Sequence, residues 1–403
     1  MTIDSAVNIA DLAALARRRL PRVVWDYLDG GAEDEATLRE NRAAFQQWRL
    51  VPNVLTGNQR RDQSIELFGS RFLSAFMIGP TGLNGLFWPD ADLELARAAA
   101  EAGVGFALST ASNNSLEQVA AVSTGTRWFQ LYPWGDAAFS ARLLERARGA
   151  GYHAVIVTVD TLTAGKRERD LHNKFSHEVR MTPSVVLDGL LHPAWLANVW
   201  LRKGMPRFEN LAEFLPPGAT AAELADFTRS KRNPAFAWTD VARLKEVWGG
   251  PLLVKGILSG EDALRAEEHG ADGVIISNHG GRQLDGAPAS VDMVAETVQA
   301  VGGRLAVLMD GGIRRGSDVI KAIALGADAV LLGRATLYGV AAGGRAGAAR
   351  ALAILRDEVD RTMALVGVRD LSELRTRRVL YSPLSKSLRP QTCASDIAPS
   401  QHS

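Results

Sequence analysis

The chain has one cysteine, Cys393, among 403 residues. A lone thiol excludes a disulfide framework and points to a reducing, cytoplasmic setting. Charge of one sign is not in surplus: 46 Lys and Arg against 45 Asp and Glu leave a formal net charge of +1. No global field therefore favours nucleic acid. Long apolar runs are also missing, and without about 18 uninterrupted apolar residues no membrane span is predicted. Residues 1–20 are mixed polar, with Arg17, Arg18 and Arg19, so no signal peptide is expected. What is present is ordinary globular composition, 46% hydrophobic and 23% charged, with material for a sizeable core. The 38 glycines cluster at predicted strand ends.

One pattern recurs: an amphipathic helix, a glycine near its end, then a short apolar strand. It appears at Ala102-Gly103-Val104, Ala150-Gly151-Tyr152, His269-Gly270-Ala271 and Leu325-Gly326-Ala327. The glycine suits the left-handed position after a helix, and the unalternating apolar strand suits a parallel sheet covered on both faces. Ser115 with Gln118 predicts a capping box, Ser259 with Asp262 a weaker one, and Ser317 a helix cap. Eight strands are predicted, at about 75–79, 105–109, 127–131, 153–159, 251–255, 273–277, 304–309 and 328–332. Eight such units predict a (β/α)8 TIM barrel; a doubly wound open sheet is the competitor. A helical extension precedes the barrel over about the first 70 residues. One barrel domain is expected over 1–382, with a disordered tail at 383–403.

The regularity breaks once, after the fourth strand, where an insertion runs over about 171–233. It holds Val185-Val186-Leu187, Leu190-Leu191 and Trp195 to Leu201, flanked by Lys174, Arg180, Arg202, Lys203 and Arg207. It reads either as a lid packed on the barrel or as an interfacial helix with tryptophans at headgroup level.

A TIM barrel carries its site at the C-terminal strand ends. Here those ends bear Pro80-Thr81-Gly82, Ser109, Gln130 with Tyr132, Thr158 with Asp160, Lys255, Ser277 with His279 and Arg282, Asp310-Gly311-Gly312 with Arg314, and Gly333-Arg334. All eight are polar or glycine-rich. Gly311, Gly312 and Gly333 with Arg314 and Arg334 supply backbone N–H groups and guanidiniums after strands seven and eight, the usual phosphate site of this fold. Otherwise they are glycine turns with surface arginines.

The run Ser277-Asn278-His279-Gly280-Gly281-Arg282-Gln283-Leu284-Asp285 has poor packing logic for a strand end and good chemical logic. It holds a titratable base, an anion binder and backbone thin enough to approach a flat ligand. Asp160 can accept the other ring hydrogen of His279. Arg167 and Arg282 can clamp one carboxylate from two sides, or each can form a surface ion pair. Tyr27 and Tyr132 can complete the pocket as hydroxyl donors, though Tyr27 also reads as part of a helix that stops at Gly30. Lys255 ends a buried strand, as a paired or functional amine or as a rim residue.

With these motifs the chain resembles the FMN-dependent L-2-hydroxy acid dehydrogenases and oxidases, over roughly residues 8–382. Thr158-Val159-Asp160-Thr161 followed by Arg167, and Asp310-Gly311-Gly312-Ile313-Arg314, carry the likeness with the His279 run. Asp26 to Glu35, Gly79 to Gly85 and Arg167 to Asn173 look most like the (S)-mandelate-oxidising branch. So does the insertion, in Val185 to Gly189 and His192-Pro193 before Trp195, with Gly204-Met205-Pro206 after a basic pair.

The resemblance implies FMN as cofactor and oxidation of an (S)-2-hydroxy acid, mandelate or a substituted mandelate, to the 2-oxo acid. His279 would be the base, oriented by Asp160. Arg167, Arg282 and Tyr27 would hold the carboxylate, Tyr132 the hydroxyl or carboxylate, and Lys255 would sit at flavin N1. Pro80, Thr81, Gly82, Ser109, Gln130, Thr158, Ser277, Asp310, Gly311, Gly312, Arg314, Gly333 and Arg334 would bind FMN. Gly82 departs from the alanine common in the oxidase members. Electrons would pass to a quinone or other membrane carrier, or to O2. The chain would sit on the inner face of the cell membrane through about 180–210, as a homo-oligomer. No metal and no nucleic acid partner are expected. Whether the base takes the carbon-bound or the hydroxyl proton is open, and so are a soluble oxidase, a non-redox FMN barrel such as an isomerase, and a silent flavin carrier.

Overall fold

The computed structural model describes residues 1–175, 182–202, 204, 206–216, 219, 221–377 and 379–382. The expected tail, with Cys393, and Arg180, Lys203 and Met205 lie outside them. The strands are β1 (Phe76–Ile78), β2 (Phe106–Ser109), β3 (Arg127–Leu131), β4 (Ala154–Thr158), β5 (Leu252–Ile257), β6 (Gly273–Ile276), β7 (Ala306–Met309) and β8 (Ala329–Leu332). They pair in parallel and close, β8 on β1, into a barrel. Each was legible as an apolar run because both faces are buried, one by the interior and one by helices.

The repeat glycines have the predicted conformation: Gly103, Gly151, Gly270 and Gly326 have φ of +64°, +71°, +81° and +111°. Ser115 and Gln118 form the capping box, and the Ser259 hydroxyl accepts from the Asp262 N–H. Ser317 does not cap. Its helix begins one residue earlier, at Gly316, and the Asp318 carboxylate instead accepts from the Arg314 and Arg315 N–H groups.

Inside the barrel, Met77, Ala107, Trp128, Ile156, Leu253 and Leu308 belong to an apolar cluster of their own. The N-terminal mouth is stoppered by a hairpin, Ile65–Leu67 with Ser70–Phe72, which sequence analysis placed in a helical extension. Phe68 and Gly69 both have positive φ, +49° and +74°, as a tight two-residue hairpin turn requires. The turn delivers Phe68 and Phe72 to the Trp128 ring, at centroid distances of 5.8 and 6.2 Å.

The extension is also not an appendage. Its helices α1 (Ile9–Arg19), α2 (Arg22–Asp29) and α3 (Ala36–Ala43) lead up to the site. Asp285 accepts from the Ala36 and Thr37 N–H groups at the start of α3. The amides of Asn41 and Asn278 bond each other reciprocally at 2.8 Å. Gly312 must lack a side chain because its Cβ would fall 1.9 Å from the Asn41 carbonyl oxygen.

The insertion contains α4 (Pro183–Leu190), a short helical stretch through Leu201, and α5 (Ala221–Ser230). Trp195 is buried and its indole donates to the Leu86 carbonyl at 2.7 Å. It therefore belongs to the packing against the barrel, not to an aromatic anchor. The exposed face is aliphatic: Leu187, Leu190, Leu191 and Leu201 are 60–73% exposed. Among the described residues no helix is long and apolar enough to cross a membrane.

Candidate active site

Strand register sets the floor of the site. Ser109 on β2 stands beside Gln130 on β3, and Thr158 on β4 beside Lys255 on β5, so these polar groups share the rim at the strand ends. The Ser109 hydroxyl donates to Gln130 Oε1 at 2.8 Å. That bond fixes the amide with Nε2 turned away, and Gln130 Nε2 and Thr158 Oγ1 are buried without a protein partner. Buried polar groups in native proteins are nearly always satisfied. Two orphans on adjacent strands therefore fit a ligand edge carrying an acceptor and further polar atoms, as an isoalloxazine does.

Lys255 is buried, with Nζ 2.8 Å from Asp310 Oδ2 and 2.7 Å from Ser277 Oγ. Burial acts to lower its pKa, but Asp310 and Asp160 outweigh that and hold the amine above its ordinary value. Asp310 is thus the counter-ion of Lys255 through Oδ2, while its Oδ1 is buried without a protein partner. The Ser277 hydroxyl accepts from Lys255 and from the His279 N–H at 3.0 Å, which leaves its own O–H to donate to a ligand.

His279 has φ +57°, rare for a residue with a Cβ, and Ser277 helps hold it there. Its Nδ1 lies 2.9 Å from Asp160 Oδ1. A ring that donates from Nδ1 keeps Nε2 as the free base, and His279 lines the cavity at the strand ends. Burial pushes the Asp160 carboxyl up, yet the neighbouring His279 and Lys255 hold it below the usual range. Gly256 was not foreseen. A Cβ there would sit 2.7 Å from that of Asp160, and the β5–β6 register shifts at this glycine.

Arg282 is held by the carbonyls of Tyr27 and Gly30, at 2.8 and 2.9 Å from its Nη1. Its guanidinium lies 4.9 Å from the Tyr27 ring centroid, and that of Arg167 lies 5.7 Å from the same ring. Burial, then Arg167, lowers the Arg282 pKa. Among the described residues Arg167 has only a loose ion-pair partner, Asp170, at 3.6 Å. Tyr132 stacks on Trp134 at 4.9 Å, and burial together with Asp160 raises its pKa, so it remains a donor. Tyr27, Tyr132, Arg167, His279 and Arg282 thus line one cavity.

At the far end of that cavity the two arginines part company. The Arg334 guanidinium is engaged by the carbonyls of Leu28, Gly280 and Gly30, at 2.7–3.2 Å. Burial lowers its pKa to about 10. It ties α2 to the His279 turn and keeps two N–H donors at the cavity it lines. A helical segment, α6 (Arg334–Val366), which breaks at Gly343 and Gly344, still begins at this point, so backbone N–H groups face the cavity end. Arg314 gives one N–H to the Ile313 carbonyl and keeps the rest of its fork. With Gly311, Gly312 and Gly333 it fits a phosphate. At Gly82 a Cβ would meet that of Ala111 at 3.0 Å, so an alanine there would press the loop after β2.

Sequence reasoning missed the walls Leu83, Phe87, Ala111, Trp134 and Phe208, and also Arg232. They lie on connections whose fold no local pattern specifies.

A closed barrel with a His–Asp pair, two converging arginines, a buried lysine and a phosphate cradle defines a flavin-dependent dehydrogenase site. The sequence profile of the FMN-dependent dehydrogenases matches residues 16–381, and the chain belongs to that family, with FMN as cofactor. It is 47% identical over 368 residues to (S)-mandelate dehydrogenase of Pseudomonas putida, covering 91% of this chain and 92% of that one. It is 41% identical to L-lactate oxidase of Nostoc sp., covering 93% and 98%. A crystal structure of the monotopic membrane protein (S)-mandelate dehydrogenase superimposes with a TM-score of 0.90 at 44% identity, covering 94% of this chain and all of that one.

Proposed function

We propose that this protein oxidises an (S)-2-hydroxy acid, (S)-mandelate or a substituted mandelate, to the 2-oxo acid. The observation that carries the reading is the 2.9 Å His279–Asp160 pair in one cavity with Arg167 and Arg282. When bound, FMN supplies the two-electron acceptor, held by Gln130, Thr158, Lys255, Arg314, the 80–82 turn and the glycine turns at 311–312 and 333. His279 Nε2 takes a substrate proton, and Asp160 stabilises the resulting imidazolium. Arg282 and Arg167 hold the carboxylate, with Tyr27 between them. Tyr132 donates to the substrate oxygen and so orients the hydroxyl-bearing carbon. Phe87, Trp134 and Phe208 supply an aromatic wall that suits a phenyl substituent.

Electrons pass onward to a membrane carrier such as a quinone. Support for this comes from the exposed leucines of the insertion, near Arg202 and Arg207, and from the likeness to a monotopic relative. The chain thus docks on the inner face of the cell membrane without spanning it. The test is anaerobic addition of (S)-mandelate to the yellow holoenzyme. Bleaching of the flavin band is expected, and yellow protein unmoved by any 2-hydroxy acid would refute the assignment. Rapid oxygen uptake without an added dye would instead make it an oxidase.

A further inference from the structure

We infer that Arg232 forms a second anion subsite in the substrate cavity, and that the preferred substrate carries an acidic group besides its 2-hydroxy carboxylate. This deepens the function proposed above and rests on it. Arg232 follows α5 and lines the same cavity as Tyr132 and Arg167. Its Nε is buried without a hydrogen-bond partner, and no carboxylate among the described residues pairs with it. The nearby Asp226 is taken by Arg229, at 3.3 Å. The position is held in part from the barrel side, since the Gly135 N–H donates to the carbonyl of the adjacent Lys231 at 2.6 Å. Burial, then Arg167, lowers the Arg232 pKa; Tyr132 works the other way and Arg229 lowers it again, so the net direction is down.

A count of charges on the substrate side leads to the substrate class. Lys255 is balanced by Asp310, and an imidazolium at His279 by Asp160. Arg167 has Asp170. Among the described residues Arg282 hydrogen-bonds only to carbonyl oxygens and pairs with no carboxylate, so the substrate carboxylate balances it. Arg232 is then left as a half-buried cation on the cavity wall, its Nε buried and unpartnered and no carboxylate among the described residues paired with it. A second anion on the ligand that reaches this side chain would supply the missing partner. A guanidinium fork recognises a carboxylate by paired, directional bonds, which makes a carboxylate on the ring or chain the best match.

The experiment measures kcat/KM of the FMN-loaded enzyme for (S)-mandelate, 3-carboxymandelate and 4-carboxymandelate with an artificial dye. It compares the natural protein with Arg232→Met and Arg232→Lys. The natural enzyme should use at least one carboxylated substrate as well as, or better than, (S)-mandelate. Arg232→Met should lower the carboxylated-to-plain ratio at least tenfold, and Arg232→Lys should restore part of it. A ratio unmoved by Arg232→Met overturns the subsite. So does a natural enzyme that disfavours both carboxylated substrates by tenfold. Equal losses on all substrates would make Arg232 a third member of the carboxylate clamp and also overturn it. Failure of (S)-mandelate itself to bleach the flavin would instead bring down the parent reading and this inference with it.

Discussion

At the N-terminal mouth of the barrel the interior is apolar, with Phe68 and Phe72 closed over Trp128. At the C-terminal mouth, one barrel length away, buried polar atoms of Gln130, Thr158, Asp160 and Asp310 stand without protein partners. The same strands supply both ends. The first is arranged to exclude water and fill space, the second to keep hydrogen-bonding capacity for something other than the protein. Stability and function are thereby placed on opposite ends of one scaffold. The division is not complete, because several polar residues at the upper mouth serve packing. Asn278 and Asp285 anchor α3, and Arg334 anchors α2. The lesson is that a polar residue at a strand end is a candidate for chemistry where at least one of its donors or acceptors remains free.

Substitutions at the two mouths should separate along this line. The largest effect is expected at His279→Ala, which should lower kcat by roughly 10²–10⁴-fold. FMN absorbance should persist, since the phosphate cradle is remote; colourless protein would break the separation. At the other mouth, Trp128→Ala should cost about 3–5 kcal/mol of stability in urea unfolding, with kcat per folded FMN site unchanged. Arg282→Met should raise the barrier by about 2–5 kcal/mol, read as kcat/KM, because a buried carboxylate loses its partner. An unchanged value would remove Arg282 from the clamp.

A pH experiment sharpens the comparison. The Asp160 carboxyl is held below its unfolded value of 3.8, so its ionised form stabilises the native state at neutral pH. That contribution is present above 3.8 and disappears as pH falls through the lower folded value. Asp160→Asn should therefore destabilise the protein at pH 7, with the gap to the natural protein narrowing below about pH 4. The smallest catalytic effect is expected from replacing Leu187, Leu190, Leu191 and Leu201 with Gln. Turnover with a soluble dye should change less than about twofold, as surface changes usually do, while the enzyme moves from pellet to supernatant. Substitution is cleaner than deleting 180–210, because Trp195 is part of the packing beneath.

Much of the barrel was legible residue by residue. The strands stood out because a parallel sheet buried on both faces demands unbroken apolar runs, and the glycines after helices because a left-handed backbone demands them. His279, Asp160, Lys255 and the glycine turns were legible because barrel topology puts every strand end at one mouth. The hairpin plug was not, since Phe68 at a positive φ gives no turn signal of the usual Asn-Gly kind. Nor were the contacts that tie Arg334 to the Leu28, Gly30 and Gly280 carbonyls and Asp310 to Lys255.

The amino-acid sequence alone determined the eight-strand order, the set of chemical groups at the strand ends and the family. Each of these follows from local periodicity or from residue type at a fixed place in a repeating unit. Tertiary structure alone decided which of those groups stay unpaired, that α2 and α3 fold over the site, and that Arg232 enters the cavity. Those outcomes depend on contacts between segments far apart in the chain, such as Arg334 with Leu28, 306 residues away, and no local pattern encodes which distant carbonyl a guanidinium will meet.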